Sequence, residues 1–349
     1  MKCFVIDFVS ISFKKFKVHG GGDFALRMVD HLIQNNIDFF IINNSTDFFP
    51  ERNLSSDNQL NDYTELYYFN PLYQGGDNNS FKYKIKYIYI HGLRMLEMPY
   101  DSTSYKYFPF PDNVKTWLKE KFLQSHYSKN AHNILKDVDN LIGDKIILTP
   151  SEHSKYMMLS SYPVKTKIDV LPPFLNKISE AKEYILPTKN PYILMLNADR
   201  WVKNSYRFLR AFTELKKQGH LKGIDLVLIG KPHFKENFQK NIFYLDYLER
   251  PELEKLMKNC FFLAYPSLNE GFGYPPLDCF KYGVPVLSTA LSSPNILYNG
   301  KVVFANPYSV DEIKSRILYL IDHRTDYINL SFYDEMLEIT LQKWTSIFS

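Results

Sequence analysis

Cysteine is scarce in this chain: Cys3, Cys260 and Cys279 are the only three among 349 residues. No two stand at metal-ligand or redox spacing, and an odd, sparse set reads as reduced thiols of a cytoplasmic protein. Excess charge is missing too. The 42 Lys and Arg against 38 Asp and Glu leave +4, too little for a protein that coats nucleic acid. No apolar run approaches ~18 residues, so no membrane-spanning helix is expected. Asp7 interrupts the opening run Cys3-Phe4-Val5-Ile6, which therefore reads as a first strand and not as a signal peptide. The spacings H-E-x-x-H, G-x-S-x-G and Gly-x4-Gly-Lys-Ser/Thr are absent, which disfavours metallopeptidase, hydrolase and P-loop chemistry.

What is present is an alternation. Short β-branched or aromatic runs exchange with longer helical patterns, the mark of parallel sheets with crossover helices. Strands are predicted at 3–8, 37–42, 85–90, 145–148 and 167–171, with helices at 23–34, 113–136 and 151–160. A proline-marked stretch, 174–190, reads as a linker. A second set follows, with strands at 192–196, 224–229, 242–245, 261–264, 285–288 and 301–304. Its helices are predicted at 204–218, 251–258, 275–282 and 309–322, and 330–347 is helical by pattern. The expected organisation is α/β: a domain over 1–173, the linker, a second domain over 191–328 and a C-terminal helix over 329–349. Residues 43–80, rich in Asn, Asp, Ser and Tyr, give no clear element.

The most informative stretch is Tyr265-Pro266-Ser267-Leu268-Asn269-Glu270-Gly271-Phe272-Gly273-Tyr274-Pro275-Pro276-Leu277-Asp278, between a buried-looking strand and a helix. Gly271 and Gly273 permit a tight turn and close approach of a ligand to the backbone. Proline suits the first helical turn, and unpaired N–H groups there favour an anion such as a diphosphate. Glu270 and Asp278 flank this element, placed to accept hydrogen bonds from sugar hydroxyls. The plain alternative is a strand-turn-helix connection with solvated acids.

Together with Tyr282-Gly283-Val284-Pro285-Val286, this segment resembles the donor-site signature of the family-four retaining glycosyltransferases, with their E-x7-E motif. The resemblance implies a GT-B fold: two Rossmann-like domains facing a cleft, with the C-terminal helix packing back on the N-terminal domain. It also implies transfer of a sugar from a UDP- or GDP-linked donor to a hydroxyl acceptor with retained anomeric configuration, in glycan or polysaccharide assembly. Glu270 then contacts the donor sugar, and Asp278, one methylene shorter than the usual Glu, the ribose. Gly271, Phe272 and Gly273 lie along the diphosphate. Lys203-Asn204 matches the family's Lys-Asn pair. The arginine usually found five residues earlier is Ala198 here, and Arg200 is expected to take its role beside Lys203. Gly230-Lys231 and Tyr244-Leu245 resemble segments that line the base and ribose pocket.

In the first half, Tyr89-Ile90-His91-Gly92 is similar to the family's His-Asp segment, which makes His91 a second catalytic candidate although Gly92 replaces the aspartate. Gly20, Gly22 and Ala25 satisfy G-x-G-x-x-A, yet about ten residues separate them from the strand that should precede them. The family's Gly-Gly loop near the donor phosphate suits them better, and Gly21 and Gly22 are the candidates. Phe13-Lys14-Lys15-Phe16-Lys17 mixes aromatics with cations, as a contact with an anionic membrane or a lipid-phosphate acceptor would, or as a solvated loop. No metal or other cofactor is expected, because basic side chains and a helix end balance the leaving diphosphate. Expected partners are the donor and a glycan, lipid-linked or protein acceptor, and no nucleic acid. The acceptor surface falls to 43–80 and 92–112. Two other readings share the fold: a nucleotide-sugar epimerase and a non-catalytic sugar-nucleotide-binding protein.

Overall fold

The computed structural model describes residues 1–11, 13–14, 17–18, 20–44, 48–75, 81–98, 101–175, 184–234 and 241–348. The aromatic-cationic run 13–17 lies outside the described residues at 15 and 16, and its remaining side chains are likewise not described. The chain divides into two compact units. The first takes Met1–Leu96, Tyr127–Phe174 and Ile339–Ser349, and the second Glu97–His126 and Leu175–Glu338. Where the sequence suggests one domain over 1–173, residues 97–126 fall to the second unit.

The first unit is built on a six-stranded sheet whose strands all run parallel. Its order is Phe39–Ile42, Lys2–Asp7, Glu65–Asn70, Ile85–Tyr89, Lys145–Thr149, Lys167–Val170. Glu65–Asn70 is the strand hidden in the unassigned stretch, and it occupies the middle of the sheet. Its tyrosines are as buried as valine would be, and Tyr68 spends its hydroxyl on the buried Asp7 carboxylate at 2.6 Å. The helix predicted over 23–34 begins earlier, at Gly20, so Gly21 and Gly22 lie in the first turn of Gly20–Gln34 and not in a loop. The Leu72 side chain presses on Gly21, and a β-carbon there would come within 2.9 Å of it. The helix predicted over 113–136 is two, Asp112–Phe122 and Gln124–Asn140.

From Ile339 the last helix, Leu330–Phe348, packs in this first unit, as expected of the C-terminal helix. Trp344 is fully buried, donates its ring N–H to Pro172 O at 2.8 Å and stacks on Phe174 with ring centroids 4.0 Å apart. The large indole fills a core that also holds Phe24, Phe69 and Phe348.

The second unit carries another fully parallel sheet, ordered Ile242–Leu245, Asp225–Ile229, Tyr192–Met195, Phe262–Tyr265, Val286–Thr289, Val303–Ala305. In chain order this is 3-2-1-4-5-6. The direction of winding reverses between Tyr192–Met195 and Phe262–Tyr265, and in an open α/β sheet the carboxyl ends of the strands at such a reversal are where a ligand site forms. Continuous apolar strands such as Asp225–Ile229, buried throughout, follow from helices covering both faces. Cys260 and Cys279 are free and buried in this core.

Residues 97–126 join the second unit through polar anchors that no local pattern announces. Asp101 and Arg207 form a buried ion pair at 2.7 Å. The Tyr107 hydroxyl accepts the backbone N–H of Tyr206 at 2.7 Å, and Glu97 accepts the Asn269 amide at 2.7 Å.

Truncating Trp344 removes an indole that cannot be replaced by collapse of two facing aromatics. Trp344→Ala should cost about 3–5 kcal/mol in equilibrium urea unfolding. A loss below about 1 kcal/mol would mean that the helix end is dispensable to the first unit.

Candidate active site

At the carboxyl ends of Tyr192–Met195 and Phe262–Tyr265 the second unit brings Lys203 and Glu270 together. The loop after Tyr192–Met195 runs through Asn197 and Asn204, both in the left-handed region. Between them the short turn Trp201–Lys203 buries Lys203. Asn204, itself fully buried, fixes this loop by donating its amide to Pro266 O at 3.1 Å and Pro307 O at 2.7 Å, while its carbonyl accepts from Arg207 at 3.0 Å. The loop after Phe262–Tyr265 then brings in Glu270, whose backbone N–H is held by the Ser292 hydroxyl at 3.0 Å.

Lys203 and Glu270 meet at 2.5 Å, with side chains only 8% and 15% exposed. The Lys203 ammonium also donates to the Tyr265 hydroxyl at 3.2 Å and sits 4.7 Å from the centre of that ring. Burial alone would push the Glu270 carboxyl up. The charge and hydrogen bond of Lys203, with the hydroxyls of Ser267 and Tyr265 adding to them, outweigh it and hold Glu270 below the ordinary carboxylate range. Glu270 is therefore an acceptor and a negative charge at neutral pH, and not a proton donor. Tyr265 moves the other way: burial, reinforced by the Glu270 charge, raises its phenol well above the usual value.

Gly273 has φ +95°, a conformation that suits glycine, and a β-carbon there would stand 3.3 Å from the Tyr265 ring. Its carbonyl accepts from the Tyr298 hydroxyl at 2.5 Å, and the Gly271 carbonyl from Ser293 at 2.7 Å. Phe272 turns its side chain into the core. The turn is thus fixed on its carbonyl side. Asp278 is buried and already engaged, Arg250 holding its Oδ1 at 2.9 Å and Glu254 at 2.8 Å. Burial works against the Arg250 charge, but these carboxylates raise its pKa above the usual value.

Of the other candidates, Arg200 is exposed on the loop after Tyr192–Met195 and Lys231 on the loop after Asp225–Ile229, and Tyr244 and Leu245 end the edge strand half-buried. Gly230 adopts φ +88°, and a β-carbon would collide with the Asp199 carboxylate. Asp199 in turn accepts the Tyr247 hydroxyl at 2.9 Å. Sequence reasoning passed over Asp199 and Tyr247. The signal was there in Asp199, which follows Ala198 at the strand end and precedes Arg200. In the first unit, His91 lies 2.9 Å through Nε2 from Pro71 O and packs edge-on to Phe24 at 4.9 Å. Gly21 and Gly22 stand in their helix as described above.

Two parallel-stranded units, one of them wound 3-2-1-4-5-6, have the architecture of the GT-B fold. Solved structures agree on the fold. Sucrose-phosphate synthase from Thermosynechococcus elongatus is similar over 99% of this chain and 100% of its own, with TM-score 0.64 and 11% identity. WaaG, a glycosyltransferase involved in lipopolysaccharide biosynthesis, covers 97% and 95% with TM-score 0.59 and 12% identity. Residues 176–333 match the family model for glycosyl transferases group 1. Among curated proteins, O-antigen chain mannosyltransferase B of Escherichia coli is 38% identical over 78 residues, 22% of this chain and 20% of that protein. O-antigen chain mannosyltransferase RfbU of Salmonella typhimurium is 24% identical over 174 residues, 47% of each chain. The matches span less than half the length of these curated relatives.

The Lys203–Glu270 pair carries a pH signature. In the wild-type chain Glu270's contribution is present above the ordinary glutamate value of about 4.3 and fades as pH falls through the lowered folded value. Lys203→Met reverses the sign, because a buried carboxylate without its cation is raised, and its penalty is present at pH 7 and absent in acid. The variant should be less stable by roughly 3 kcal/mol at pH 7, and the gap should narrow towards about pH 4. Urea midpoints at the two pH values test this. A gap that does not change with pH would deny the pair an electrostatic role.

Proposed function

We propose that the protein is a retaining glycosyltransferase that moves a sugar from a nucleotide-sugar donor to a hydroxyl acceptor during polysaccharide assembly of the O-antigen kind. The observation that carries this reading is the Lys203–Glu270 pair, buried at the switch point of the second sheet. In an open α/β sheet the switch point is where ligands bind. A cation there suits a diphosphate, and an ionised carboxylate beside it suits the hydroxyls of the attached sugar.

Donor binding is assigned within the second unit. Lys203, with Arg200 at the rim, offsets the charge that builds on the leaving diphosphate, and the backbone of Gly271–Gly273 lines its path. Glu270 remains ionised and receives sugar hydroxyls. Asp278 spends Oδ1 on Arg250 and offers its second oxygen to the ribose. Gly230, Lys231, Tyr244 and Leu245 border the base. The two mannosyltransferase relatives make mannose the first sugar to test, with GDP- and UDP-linked donors compared.

Glu270→Gln keeps the shape and removes the charge, and turnover should fall at least about tenfold while the circular dichroism spectrum is unchanged. Near-normal turnover would remove Glu270 from the site. Donor consumption without any acceptor would turn the reading to an epimerase. Arg200 is exposed, so Arg200→Ala should leave the fold intact and weaken a nucleoside diphosphate at least about fivefold more than the nucleoside, read by titration calorimetry. Equal weakening of both would contradict a phosphate contact.

A further inference from the structure

The helix Asp112–Phe122 is packed inside out. Asn113, Thr116 and Glu120, spaced to share one face, are its most covered side chains, and Ser104 donates to the buried Glu120. Burial raises the Glu120 carboxyl above the usual value. The apolar side chains look outward: Phe110 is 82% exposed, Phe122 67%, Leu123 46%, Val114 45%, Leu118 44% and Trp117 39%. An ordinary surface helix does the reverse. A contiguous apolar face on a folded protein marks a surface that something covers.

Charge says what covers it. Lys115, Lys119 and Lys121 are exposed around the apolar side chains. The Lys121 ammonium lies 4.9 Å from the centre of the Trp117 ring and 5.7 Å from that of Phe122. Of the two acids between 108 and 123, Glu120 is buried, and Asp112 is paired with Lys115 at 3.2 Å. The face is therefore aromatic, aliphatic and basic. A second copy of it would bring three lysines against three. An anionic bilayer surface answers both features, taking rings into the acyl boundary and ammonium groups at lipid phosphates. The helix has 11 residues, too few to span a bilayer, which needs about 20.

We propose that residues 108–123 form a monotopic docking surface for an anionic lipid bilayer. It lies flat in the headgroup layer, with Phe110, Trp117 and Phe122 inserted and Lys115, Lys119 and Lys121 at the phosphates. The surface shares no residue with the donor-site assignments, so it does not depend on the glycosyl-transfer reading.

Cosedimentation of the purified full chain with vesicles tests it. Vesicles of phosphatidylcholine containing about one-third phosphatidylglycerol should bind at least about tenfold more protein than phosphatidylcholine alone, and less as salt rises. Phe110→Ser with Phe122→Ser, and separately Lys115→Gln with Lys119→Gln and Lys121→Gln, should each lower the bound fraction at least about fivefold. All five positions are exposed, and circular dichroism checks that both variants fold. Brominated lipid should quench Trp117, the exposed one of three tryptophans. Vesicle binding that neither variant changes, or no binding to anionic vesicles, overturns the proposal. So does a dimer in sedimentation velocity that the phenylalanine variant dissolves while no vesicle binding is found. Turnover on a water-soluble acceptor should match wild type in the lysine variant, so a loss there would concern glycosyl transfer and not this face.

Discussion

An ammonium and a carboxylate placed together out of water constrain everything around them. Taking either charge from water costs several kcal/mol, and only close geometry with extra hydrogen bonds offsets it. The second unit meets that condition at Lys203 and Glu270 by bringing two loops off adjacent strands, with Tyr265 beneath both charges and Ser292 holding the Glu270 backbone. The sheet order makes those two strands neighbours although about 70 residues separate them in the chain. Such a pair adds little net stability. Its effect is to fix protonation: Glu270 is an anion and Tyr265 a neutral phenol across the ordinary pH range.

Much of this was legible beforehand because parallel strands covered on both faces must be continuously apolar. Runs such as Leu226-Val227-Leu228-Ile229 declare themselves. Glu65–Asn70 did not, since tyrosines bounded by polar residues resemble a loop until their hydroxyls find partners such as Asp7. The segment from Lys203 to Asp278 could be read from residue types and spacing. What those could not give was partnership: that Arg250 occupies Asp278, or that Gly230 is required by the Asp199 carboxylate. These are contacts between residues 28 and 31 positions apart, set by strand order and not by local pattern. The glycines at 21 and 22 went the same way, because the helix beginning at Gly20 takes both into its first turn and packs Gly21 against Leu72.

The segment 97–126 shows how polar anchoring decides which face of a helix is left over. Asp101, Tyr107 and Glu120 supply the inward contacts, through Arg207, the Tyr206 amide and Ser104. With charges and hydroxyls spent on holding the segment, the aromatic and aliphatic side chains of Asp112–Phe122 are left outside. A periodicity argument that places apolar residues inward inverts here, because buried polar groups with partners fasten this segment in place of an apolar stripe.

Asn204 closes the account in chemical terms. Its side chain gives two N–H bonds to carbonyls of separate loops and takes one from Arg207, so it must be donor and acceptor at once. Deamidation would keep the shape and invert half of that, setting a negative oxygen against two carbonyl oxygens. The loop carrying Lys203 would be released from the loop leading to Glu270 with hardly a change in mass. Asparagine followed by serine is a fragile sequence in an exposed chain, and here the left-handed cap and complete burial shield it.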